Sequence, residues 1–114
     1  MNRQDLNKKR ILEEVETDNF ARLNGAIIRT MAVIFHSGWE NGQNIRAAFK
    51  DKPESDIYSC LDYLQICGAV KVREAASKDE VEINDFDLDE VEIRLSGYGI
   101  KLYRGVKKDE LIEI

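Results

Sequence analysis

Asp85, Asp87 and Asp89 alternate as the first carboxylate ligands of an EF-hand calcium loop do, and a bound cation is the first chemistry they suggest. The pattern then fails. Position six of such a loop is Glu90 where a glycine must turn the chain, and position twelve is Ser96 where a glutamate must close the ligand shell. The only histidine, His36, has no cysteine or second histidine at ligand spacing, and no serine or cysteine is paired with a base as a nucleophile. Cys60 and Cys67 lie seven residues apart on one predicted helix, about 10 Å along its axis and beyond the ~7 Å Cα reach of a disulfide. They read as core thiols. These residue types predict no catalysis, no metal and no cofactor.

Binding chemistry is the remaining class. Arg46, Lys50 and Lys52 could grip a phosphate backbone, with Ser55 and Ser59 supplying neutral hydrogen bonds beside them. At 100° per residue, Ile57, Leu61 and Leu64 point inward and leave Ser55, Ser59, Asp62 and Ile66 outward, flanked by Asp56 and Tyr63. No Arg or Lys falls on that outward face, and Gln65 at its margin is the one amide that could read an adenine. A protein contact through Asp62, Tyr63 and Ile66 is therefore the alternative use of the same surface.

The elements that carry these residues are legible from Asn41 to Glu74. Ile45, Ala48 and Phe49 recur at helical spacing, and the only proline, Pro53, stops that helix by about Lys50. A second helix opens at Pro53 or Ser55 and ends where Gly68 follows Cys67; Ala69 to Arg73 then alternate as a strand. Val91, Ile93 and Leu95 alternate as a strand able to pair with Val70 and Val72, placing Lys71, Arg73, Glu92 and Arg94 on one outer face. Between the strands lies an acidic insertion with its own alternation at Val81 and Ile83 and at Phe86 and Leu88.

Upstream, a polar helix is predicted over Asp5–Glu16, with Leu6, Ile11, Leu12 and Val15 as an uneven apolar stripe. Its Lys8-Lys9-Arg10 triplet reads as a solvated face with pairs such as Arg10 and Glu14, a phosphate-gripping arm being the other reading. Asp18 or Asn19 caps a buried central helix running to about His36, whose apolar surface exceeds a single face and predicts a homodimer. Trp39, between two glycines, is expected to lid the core, with stacking on a ligand as the alternative. Ser96 caps a last short helix that Gly105 ends, and Glu110 to Ile114 form a terminal strand.

Helix, short turn, helix and strand is the order of a winged helix-turn-helix, and the residues resemble that superfamily over about Asn19 to Gly105. Leu61, Leu64 and Gly68-Ala69-Val70 look like the close of its recognition helix, and Leu95 to Leu102 like the passage from the second wing strand into a last helix. The ending from Gly99 to Ile114 is similar to that of small winged-helix proteins carried by Mu-like prophages. The resemblance implies an α+β fold: a winged helix with a three-helix core and a β-hairpin wing, plus an N-terminal and a short C-terminal helix. It divides the single domain 1–114 into an N-terminal helix (1–18), a helical core (19–74), an acidic wing (75–95) and a tail (96–114). It implies a non-enzymatic, DNA-binding regulator or accessory protein; a winged-helix protein-interaction module using the acidic wing and the Tyr63/Ile66 face is the alternative.

Charge constrains the geometry of either use. Residues 1–73 hold 11 Lys+Arg against 10 Asp+Glu (+1), and residues 74–114 hold 6 against 12 (−6), summing to the net −5. Any DNA must therefore meet the front of the chain, with the acidic segment turned away. No apolar run approaches a membrane span and Met1 to Asp5 open no signal peptide, so a cytoplasmic location is expected.

Overall fold

Nothing between Glu16 and Phe20 breaks a helix: there is no glycine or proline, and the Thr17 hydroxyl donates back to the Glu13 carbonyl at 2.9 Å. The two predicted N-terminal helices are accordingly one, α1 (Arg3–Val33), in the computed structural model, which describes residues 3–114. Asp18 and Asn19 lie inside it and cap nothing, which corrects the predicted boundary between 1–18 and 19–74; Met1 and Asn2 lie outside the described residues. Every residue from Arg3 to Asn19 is exposed, whereas Ala21, Asn24, Gly25, Ile27, Ile28 and Met31 are buried. Half of α1 is thus core and half an arm. The helix stops three residues before the expected His36, where His36 and Ser37 take left-handed φ values of 53° and 59° and reverse the chain.

The reversal delivers a two-residue strand that alternation could not reveal, β1 (Glu40–Asn41). Asn41 then caps α2 (Gly42–Ala48), its side chain accepting from Gln43 N at 2.8 Å. Residues 49–53 turn the chain into α3 (Glu54–Ile66), with Pro53 at the N-cap as its fixed φ demands. Gly68, at φ 83°, ends α3 in a Schellman motif: Gly68 N bonds to Gln65 O at 3.1 Å and Ala69 N to Leu64 O at 2.8 Å.

Strands β2 (Val70–Glu74) and β3 (Val91–Leu95) pair, as expected, and do so antiparallel with Val70 opposite Leu95 and Val72 opposite Ile93. β1 joins the far side of β3, giving the order β1-β3-β2. The inner face of this sheet packs Val70, Val72, Val91, Ile93 and Leu95 against Ile27, Ile28, Ile45, Ile57, Leu61 and Leu64. The alternation in the insertion between β2 and β3, at Val81 and Ile83 and at Phe86 and Leu88, does not mark strands. The insertion makes two 3-10 turns, Ile83–Asp85 and Leu88–Glu90, because Ile83 and Leu88 are drawn fully into the core. α3 fastens it: Gln65 donates to Val81 O (2.8 Å) and accepts from Ile83 N (3.0 Å), and Tyr58 donates to Phe86 O (2.8 Å).

Ser96 caps α4 (Gly97–Tyr103) through Gly99 N at 3.0 Å, and Gly105 at φ 76° ends it, both as expected. The terminal strand is absent. Glu110 to Ile114 instead run as a strap across α1, held by Glu113 N to Ala21 O (2.9 Å) and by Asn24 Nδ2 to Leu111 O (2.9 Å), with Ile112 buried beneath. The approach is so close that a Cβ on Gly25 would lie 1.6 Å from Glu113 O, so only glycine fits there. The whole is α+β, four helices and a three-stranded antiparallel sheet, and none of the described helices is long and apolar enough to cross a membrane.

Candidate nucleic-acid interface

The surface singled out by the sequence is built on α2, the turn 49–53 and α3. Phe49, half-buried against the core, anchors the turn by its backbone: its carbonyl accepts from Lys52 N at 2.9 Å and from Arg46 Nη1 at 2.9 Å. Arg46, half-buried, is thus engaged through one guanidinium nitrogen in closing α2. Lys50 and Lys52 are exposed on the turn. Burial of Ile57, Leu61 and Leu64 fixes the rotation of α3, so Ser55, Ser59 and Ile66 are exposed and Asp62 is half-exposed along one outward row. Ser59 donates to Ser55 O at 2.9 Å, which leaves its oxygen free to accept. Glu54 and Asp56 stand in the first turn, where the helix dipole favours them.

Other side chains of α3 serve the fold. Tyr63, grouped with Ile66 as a contact for a protein partner, is turned the other way: its hydroxyl donates to Asp109 Oδ2 at 2.7 Å and its ring meets Phe20 edge-on at 5.5 Å. Burial and the Asp109 carboxylate raise its pKa, keeping the phenol neutral. Of the three partner-contact residues, Ile66 is 73% exposed and Asp62 half-exposed, so these two remain on the surface while Tyr63 serves the fold. Cys60 is buried on the core side, where desolvation and then Asp56 push its thiol up to about 12, and desolvation raises Cys67 as well. The predicted core thiols stay protonated.

Trp39 departs from its expected role as a lid. It lies with the Arg73 guanidinium 3.9 Å above its ring and Arg94 at 5.7 Å, on the outer face of the sheet. There Glu92 Oε1 accepts from Arg73 Nε (2.9 Å) and Lys78 Nζ (2.8 Å), and the two cations hold its carboxyl below the ordinary range. Alternation had already placed Lys71, Arg73, Glu92 and Arg94 together; what it could not supply was β1, whose pairing with β3 brings Trp39 alongside.

Asp87, Asp89 and Glu90 approach one another closely enough to share an ion, all three exposed. A structural cause suffices: the Asp87 side chain and Glu90 form a capping box on the second 3-10 turn, with Asp87 N donating to Glu90 Oε1 at 3.0 Å. No family model, curated protein or solved structure matches the chain.

Proposed function

We propose that the chain is a winged-helix module of the DNA-binding type, a non-enzymatic regulator or accessory protein that sets α3 against duplex DNA. The reading rests on one observation above the others: the α3 row Ser55, Ser59, Asp62 and Ile66 is open to solvent, beside a turn that carries exposed Lys50 and Lys52. The core takes Ile57, Leu61 and Leu64, the insertion takes Gln65, and Asp109 takes the Tyr63 hydroxyl. Support also comes from the order of α2, α3, β2 and β3, which is that of a recognition helix feeding a β-hairpin. In this arrangement Lys50 and Lys52 neutralise phosphates, Ser55 and Ser59 hydrogen-bond to phosphate or base edges, and the acidic insertion faces away.

The test is a titration with mixed-sequence duplex DNA at about 50 mM salt, repeated as salt is raised. Binding at micromolar concentration is expected, with a log–log salt slope of roughly −2 for two neutralised phosphates. Lys50→Glu with Lys52→Glu removes it, and the exposure of both positions keeps the fold intact. Absence of any binding at low salt refutes the reading. A protein partner is the second reading, favoured by one feature: the open row holds no cation and ends in Ile66, 73% exposed. In that case Ile66→Glu abolishes the function while Lys50→Glu leaves it untouched.

A further inference from the structure

The arm of α1 is the largest feature that the α3 surface leaves unexplained. Leu12, Val15, Asn19, Arg22, Ala26 and Arg29 follow one another at intervals of three, four, three, four and three, which is the heptad spacing of a helix that pairs with another helix. This seam lies away from the core. Its distal part is bare, with Leu12 62% and Val15 49% exposed and Ile11 beside them at 58%. Its proximal part forms one wall of a groove of about 990 Å³, whose other wall is α3 at Asp56, Ser59 and Cys60. Leu23 and Ala26 of α1 and Ile114 of the strap add apolar lining.

We propose that the groove is filled by the arm of a second copy of this chain, the two α1 helices running antiparallel about a two-fold axis near Asn19. Three observations select this occupant. From Asn19 back to Arg3 the arm spans about 24 Å, and the α1 wall of the groove runs about 15 Å from Asn19 to Arg29, so the arm is long enough to cover it. With the axis at Asn19, Leu12 meets the other copy's Ala26 and Val15 meets its Leu23, large exposed side chains over smaller or recessed ones. Glu16 meets Arg22 in the same register, an opposite-charge pair made twice by symmetry. The arm's Lys8-Lys9-Arg10 triplet is carried past Arg29 towards Asp56, the acid on the α3 wall, while Ser55 and Ile66 remain open. Ser59 and Lys52 also line this groove, so the pairing covers part of the surface assigned to DNA.

The solution mass of the native chain without DNA tests the state: twice 13.1 kDa is expected at micromolar concentration. Leu12→Glu with Val15→Glu, both at exposed positions, halves that mass with the circular dichroism of a folded core retained. Orientation is read by disulfide trapping in a Cys67→Ser background. Chains carrying Leu12→Cys cross-link to chains carrying Ala26→Cys, and Leu12→Cys alone does not cross-link. A monomeric mass, a dimer indifferent to the double glutamate variant, or self-cross-linking of Leu12→Cys each overturns the proposal. Because Lys52 and Ser59 are shared, the DNA titration is repeated on the Leu12→Glu, Val15→Glu variant: no binding there with a doubled native mass sinks the proposed function alone, and binding with a monomeric native mass sinks only the pairing.

Discussion

Gly25→Ala sets two effects of opposite sign against each other. Helix propensity alone says that alanine inside a 31-residue helix stabilises by about 1 kcal/mol. The strap says otherwise, because the new Cβ would sit 1.6 Å from Glu113 O, a backbone atom that can yield only if the segment leaves α1. Its departure loses the bonds from Glu113 N to Ala21 O and from Asn24 to Leu111 O, about 1 kcal/mol each. It also exposes Ile112, now 6% exposed, at roughly 2 kcal/mol. Subtracting the propensity gain leaves a net loss of about 3 kcal/mol, a fall in melting temperature on the order of 10–20 °C for a chain of this size. Thermal and urea denaturation followed by circular dichroism measure it. Deleting residues 110–114 should cost a similar amount, and adding Gly25→Ala to the deletion should then restore about 1 kcal/mol, since the obstacle has gone. If Gly25→Ala in the full chain melts at or above the native temperature, the strap does not lie where it is described and the reasoning fails.

Thiol labelling at pH 8 should leave Cys60 unreacted in the folded protein and modify both cysteines in urea; rapid native labelling of Cys60 would contradict its burial. Arg73→Ala should shift Trp39 emission to longer wavelength and cost about 0.5–1 kcal/mol, which fluorescence-monitored unfolding reads directly. The folded pKa of Glu92 is depressed, so its contribution is present above about pH 4.3 and fades as pH falls through the folded value; Glu92→Gln should flatten the acid limb of stability against pH. Tyr63 is raised, so its contribution holds below about pH 10 and is lost as pH rises towards the folded value; Tyr63→Phe should blunt the alkaline loss.

Where a residue type admits one backbone solution, the sequence could be read directly. Pro53 dictated the start of α3, Gly68 its end, and strict alternation the pairing of the Val70–Val72 strand with that of Val91, Ile93 and Leu95. The outward placement of Ser55, Ser59 and Ile66 followed from that rotation. Residue types with several solutions misled. Asp18 and Asn19 can cap a helix but also ride inside one, and the covalent pattern around them contains no signal to decide. β1 is too short to alternate, and Ile83 and Leu88 are buried by 3-10 turns whose period resembles neither strand nor helix. The redirection of Tyr63 depends on Asp109, 46 residues away, and that of Trp39 on the β1–β3 pairing. Such long-range partners leave no local trace.

The division of α1 into a buried root and a bare arm has a consequence for how freely its positions can vary. At the root, Ala21, Gly25 and Ile28 are constrained by the interior and the strap while Arg22, Leu23 and Ala26 line the groove, so hardly a site there escapes both demands. Along the arm, every residue from Arg3 to Asn19 is exposed. A saturation scan scored for folding alone should therefore see one continuous helix as two regimes: intolerant after Phe20, permissive before it. The seam positions Leu12 and Val15 would emerge from the permissive half only when the scan is scored for assembly.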